Sequence, residues 1–197
     1  MKNHRERSAD SRPGPLGPAG PAGPEPWPDA DRVPDDLLAA KSRVYDPCGF
    51  VCSQPVPEAE GGGYAAHAFT VDGRAVRFRS GRTTPAKAGQ FVTVWMRSHE
   101  GPIRPFDTAD GIDLVVISCH DDHGFGQFVL PVAALRRHGV VSVEGAGGKR
   151  GFRVYPPWVA TANRQAERAQ AWQVEHFLHL PRDGAVDLAR AEELYHP

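Results

Sequence analysis

The stretch Asp113-Leu114-Val115-Val116-Ile117-Ser118-Cys119 is almost continuously apolar and β-branched, the composition of a strand covered on both faces. A polar turn at His120–Phe125 follows and leads to a second such run, Gln127-Phe128-Val129-Leu130. Pro131 then opens a short helix through Leu135 that Gly139 closes, and Val140-Val141-Ser142-Val143 reads as the next strand. Upstream, Phe91-Val92-Thr93-Val94-Trp95-Met96 has the same buried-strand character. Both this run and the one from Asp113 are expected in the centre of a sheet.

Further out, the apolar period changes. Between Tyr64 and Arg79 it is two, and Asp72-Gly73 interrupts it with the residues of a tight turn, which predicts a hairpin. Val76 and Phe78 share one face of that hairpin, Arg77 and Arg79 the other. Pro34-Asp35-Asp36 ahead of Leu37, Leu38 and Val44 marks a helix start, with Pro47 and Gly49 as its stop. Toward the C-terminus, Asn163 caps a predicted long helix in which Ala166, Ala169, Trp172, His176, Phe177 and Leu180 form one apolar stripe. The sum is an α+β fold: a helix, about six strands with a short helix between the fifth and sixth, then a long helix.

The 197 residues, 40% hydrophobic and 24% charged, fit one domain with tails. Four Gly-Pro-X triplets run from Gly14 to Glu25 within a segment dense in proline, so residues 1–33 read as a disordered Pro/Gly-rich arm. The domain is expected over 34–180, with an acidic tail over 181–197 that carries one weak helix at Asp187–Leu194. The N-terminus has charges and prolines where a signal peptide needs an apolar run, and three cysteines do not make a disulfide framework. These features predict a cytoplasmic protein with no membrane association.

The net charge of −1 conceals a dipole: Arg74 to Arg153 holds 12 Lys/Arg against 7 Asp/Glu, a block of +5. Eight of these cations are candidates for phosphate contact: Arg77, Arg79, Arg82 and Lys87 in and after the hairpin, then Arg104, Lys149, Arg150 and Arg153. Gathered on one side they form a phosphate-binding face, on which Trp95, Tyr155 and Trp158 offer stacking surfaces. Gly145–Gly148 before Lys149-Arg150 is no P-loop, because Val143 stands where its first glycine belongs and no Ser or Thr follows the lysine. Gly-x-Ser-x-Gly and His-Glu-x-x-His are absent, and Cys48, Cys52 and Cys119 with His120 and His123 lack zinc-site spacing. Among acidic residues, Asp107, Asp110 and Asp113 stand out, since a carboxylate at a strand start can hold hydrated Mg²⁺ beside a phosphate. The commoner role of an aspartate there is structural.

Further segments follow one another in order: Tyr64 with Phe69, Phe78-Arg79, Thr84 to Val92, Trp95 with Arg97, Gly101-Pro102, Pro105-Phe106-Asp107, Asp110, Asp113, and Gly126-Gln127-Phe128. Gly148-Lys149-Arg150, Arg153 to Trp158, and Gln165 with Trp172-Gln173 complete the set. Taken together and in this order, they resemble the MepB-like family of bacterial proteins. The resemblance implies a fold similar to the restriction-endonuclease-like, or PD-(D/E)XK, superfamily, with the six or so strands in a mixed central sheet flanked by helices. It puts that superfamily's aspartate at or near Asp113 and its Glu-x-Lys on Gln127-Phe128-Val129. Gln127 lacks the charge and Val129 the amine that metal binding and water activation require. The expectation is therefore a nucleic-acid-binding protein with a degenerate nuclease-like fold and no cofactor. A metal-dependent nuclease is the alternative, with Asp107, Asp113, Gln127 and a relocated Lys87 or Lys149 as candidates and Mg²⁺ as its ion. A third reading is a small-molecule or protein-interaction module. Oligomeric state stays open.

Overall fold

The computed structural model describes residues 25–59, 62–97 and 101–197. Its frame is a six-stranded sheet built from β1 (Val56–Pro57), β2 (His67–Val71), β3 (Arg74–Ser80), β8 (Leu114–His120), β9 (Phe125–Pro131) and β13 (Phe177–His179), in that spatial order. Every neighbouring pair is antiparallel except β3 and β8, which run parallel. A parallel pair needs a long crossover. Here the chain supplies it as β4 (Arg82–Thr84), β5 (Lys87–Thr93), β6 (Trp95–Arg97) and β7 (Ile103–Pro105). β5 is the middle strand of a smaller sheet, between β4 and β12 (Gly151–Val154), and β6 pairs with β7. A two-residue pair, β10 (Ser142–Val143) with β11 (Ala146–Gly147), completes the strands among the described residues.

The hairpin over β2 and β3 turns at Asp72 and Gly73, both at positive φ. Both faces of β8 are covered, as its composition predicts: every residue from Leu114 to Cys119 is buried. On one face Phe78, Leu114, Val116 and Val129 pack with Leu37, Val44, Tyr45 and Tyr195. On the other, Val115, Ile117, Phe128 and Leu130 pack with Val92, Val94, Phe106, Leu135 and Val154.

The helix expected at Pro34 is α1 (Asp35–Ala40), continued by a π-helical stretch (Lys41–Tyr45) and α2 (Asp46–Cys48), and Gly49 ends it in the left-handed region. α3 (Val132–Arg137) follows β9 directly. Residues 1–24 of the expected arm lie outside the described residues. Within the rest of it, Trp27 and Val33 are buried in the first core, with Trp27 edge-on to Phe69. The C-terminal segment also belongs to the core: α5 (Leu188–Tyr195), capped by Asp187, buries Ala191, Leu194 and Tyr195.

Three expectations are corrected. The long helix is shorter, α4 (Arg164–Val174), and Phe177–His179 is the strand β13 instead. The apolar spacing of Trp172, Phe177 and Leu180 suits a helix, but the edge of β9 offers unpaired backbone groups. Val129 N donates to His176 O and Leu180 N to Phe125 O, which closes that edge. Val140-Val141 does not form a strand; only Ser142-Val143 does, outside the main sheet, while Ser142 N donates to Phe106 O. Finally, Phe91-Val92-Thr93 is central in the small sheet and not in the large one.

No helix among the described residues is long and apolar enough to cross a membrane. The three cysteines are free thiols, and burial pushes Cys119 up strongly and Cys52 up to about 12.

Candidate anion-binding groove

The eight predicted cations do not gather as one face. The arginine side of β3 is covered: Arg79 is 2% exposed, ion-paired with Glu58, donating to Phe78 O and lying 5.4 Å from the Phe106 ring centre. Burial lowers its pKa and Glu58 opposes that. Arg77 meets the other Glu58 oxygen at 3.2 Å. Arg104 makes a two-pronged bond to Asp110 at 2.9 and 2.6 Å. Arg82 is tied to the Gly63 carbonyl, above the Tyr64 ring.

The acidic candidates are likewise occupied. Asp113 accepts from Ala75 N at 2.8 Å, and its own N–H donates to Ala75 O, so it clamps the start of β8 to β3. Asp107 accepts from Ser142 Oγ at 2.6 Å and from the N–H groups of Ala109 and Gly145, both at 2.9 Å. Those bonds bring its pKa down to about 2, the Ser142 bond contributing most. Gln127 is fully buried: Tyr195 Oη donates to its Oε1 at 3.3 Å and its Nε2 donates to Ser118 Oγ at 3.3 Å. No group of three or more His, Cys, Asp or Glu among the described residues is placed to hold a metal ion.

What the fold does bring together is Lys87, Lys149 and Arg153. They line a groove of about 880 Å³ between β12 and α4, with His138, Arg168 and Trp172 on its walls. No Asp or Glu among the described residues lines it. Its walls are held by glutamine amides. Buried Gln173 donates to Arg153 O and accepts from Tyr155 N, both at 2.9 Å, reading the β12 backbone like an added strand. Gln170 donates to the carbonyls of Pro156 and Val159 at 3.0 and 2.9 Å.

Each cation arrives by a different device. Gly148 at φ 78° lies so close to Ser142 N and the Pro105 ring that a Cβ would stand 2.7 and 2.8 Å from them. Only glycine fits, and the next residue, Lys149, is then anchored by its N–H on Val140 O. Arg153 is held by neutral acceptors, Thr84 Oγ1 at 2.6 Å and the Ala88 and Gly89 carbonyls at 3.4 and 3.3 Å, so its charge is not cancelled. Lys87 is exposed at the start of β5, and Arg168 is exposed on α4. Arg150 is exposed but outside the lining.

His138 stacks on Trp172 with ring centres 4.1 Å apart and planes 8° from parallel. Burial lowers the His138 pKa, Arg137 and Lys149 act in the same direction, and Glu175 opposes them. Sequence reading missed Arg168, His138 and Trp172 as site residues. The legible signal was Arg164 and Arg168 four apart on a helix beside Trp172.

A family model described as MepB-like matches residues 58–179, more than half of the chain. The crystal structure of MepB is similar at a TM-score of 0.63 and 29% identity, covering 67% of this chain and 89% of that one. No curated protein matches. The matched segment includes every cationic residue of the groove and excludes α1, α2 and α5.

Proposed function

We propose, on the premise that this chain belongs to the MepB-like family, that it binds nucleic acid through the groove between β12 and α4. One observation carries the reading. Lys87, Lys149, Arg153 and Arg168 converge on a cleft with no carboxylate among the described residues of its lining, which concentrates positive potential where a polyanion enters. The phosphate-binding set is thus narrower than the eight sequence candidates, because Arg77, Arg79 and Arg104 are spent on internal carboxylates.

Kinship with the restriction-endonuclease-like superfamily is part of the same proposal, as a scaffold without its metal chemistry. It draws support from the mixed β3–β8–β9 sheet flanked by helices. Metal-dependent cleavage draws none: Asp107, Asp113 and Gln127 hold structural hydrogen bonds, and Lys87 and Lys149 line a groove that contains none of the three.

Fluorescence anisotropy with labelled oligonucleotides tests the reading. Affinity falls steeply with salt, and Lys149→Gln or Arg168→Gln each reduces the salt slope by about one. Arg104→Gln leaves it unchanged. Absence of binding to DNA and RNA at low salt overturns the proposal.

A further inference from the structure

His138 and Trp172 do something that charge alone does not require. The imidazole is exposed, yet its plane is set by near-parallel stacking on Trp172, which itself packs against the second core. An exposed side chain ordinarily samples several rotamers. This one presents a flat ring in the lining of the cationic groove, with one face stacked on Trp172.

The dimensions bear on what fits. About 880 Å³ is the size of a cleft for a small organic ligand, and the cations lie within it instead of across a broad face. A duplex carries its phosphates on a convex exterior and keeps its bases paired, so neither its curvature nor its bases suit a concave site of this volume. A single strand has bases free to stack and a backbone that can follow a narrow basic channel. Uncharged groups add to the match: Asn163 and Gln165 line the same groove, and the Asn163 oxygen is occupied by Gln165 N and Ala166 N, leaving its amide hydrogens to donate.

We propose that the groove is a single-strand site in which one base lies on the His138 ring, backed by Trp172, while neighbouring phosphates meet Lys149, Lys87 and Arg168. This rests on the groove being an anion site and adds that a base, and not only charge, is recognised. The stack is sequence-tolerant, since every base has a π-face.

Four probes of equal length separate the two readings: a single-stranded oligonucleotide, the same strand with abasic sites throughout, the corresponding duplex, and inorganic polyphosphate. The expected result is single-strand affinity at least about tenfold above that of the abasic strand and the duplex at one salt concentration. His138→Ala lowers single-strand affinity by about fivefold or more and by a larger factor than it lowers polyphosphate affinity, whereas His138→Phe, which keeps a flat ring, restores single-strand affinity. His138 is exposed, so neither variant compromises the core, and unchanged melting temperatures confirm this. Equal affinity for intact and abasic strands, or no effect of His138→Ala, overturns the stacking proposal while the anion site stands. Failure of all four probes to bind at low salt overturns both.

Discussion

The hydroxyls of Tyr45 and Tyr195 lie 2.9 Å apart, although 150 positions separate them in the chain. Through Tyr195 the contact continues to Gln127 and Ser118, so one buried polar chain ties the N-terminal helical segment and α5 to the central strands. A buried hydroxyl is tolerable only where it is satisfied. Each member of this chain depends on the next.

Replacing either phenol therefore removes a hydrogen bond and leaves a partner unsatisfied. Tyr195→Phe is expected to cost about 1–2 kcal/mol in urea unfolding, and the Tyr45→Phe, Tyr195→Phe double variant to cost less than the sum of the two. Burial raises both phenol pKa values. For an acid held neutral in the fold, stability is complete below the unfolded pKa of about 10 and declines as pH rises above it. A flatter alkaline arm in the double variant checks the assignment.

Gln127→Glu restores, on paper, the carboxylate of a nuclease motif. Gln127 faces a sealed core, so the substitution is expected to destabilise the protein by about 2–4 kcal/mol at neutral pH and to create no Mg²⁺-dependent cleavage. Burial would hold that carboxyl pKa up. The penalty consequently grows with pH above about 4, the value for a free glutamate, and shrinks below it. Melting curves between pH 4 and 8 read the slope, and plasmid incubated with Mg²⁺ reads cleavage.

Asp107 behaves in the opposite sense. Its folded pKa of about 2 lies below the ordinary value of 3.8, so its contribution is present above about pH 4 and is lost as pH falls toward 2. Asp107→Asn should remove that acid-limb dependence, read as a flatter melting temperature against pH between 4 and 2. It also frees the Gly145 loop ahead of Lys149, weakening the groove.

Gly126 sits under β13, where a Cβ would stand 2.2 Å from the Phe177 ring and 2.6 Å from Leu178 O. Gly126→Ala is expected to separate β13 from β9 and destabilise the fold by about 2 kcal/mol or more, as overpacking does. Hydrogen exchange at the amides of Val129 and Leu180, which bond across that seam, would rise selectively; unchanged protection there refutes the role assigned to the glycine.

Local pattern carried much of the architecture. The run from Asp113 to Cys119, the Asp72-Gly73 turn and the helix start at Pro34 each obey rules that act within a few residues, and the structure places strand, turn and helix there. The chain itself also held the +5 block and the cationic residues that line the groove. Which cations stay free was decided by residues remote in sequence, as when Glu58 meets Arg77 and Arg79 across 19 and 21 positions. Whether Phe177 continues a helix or completes a sheet depended on the open edge of β9. Periodicity records which side of a segment is apolar. It contains nothing about what that side, or a charged group beside it, will meet, because ion pairing and edge closure are set by distances that exist only after the chain has folded.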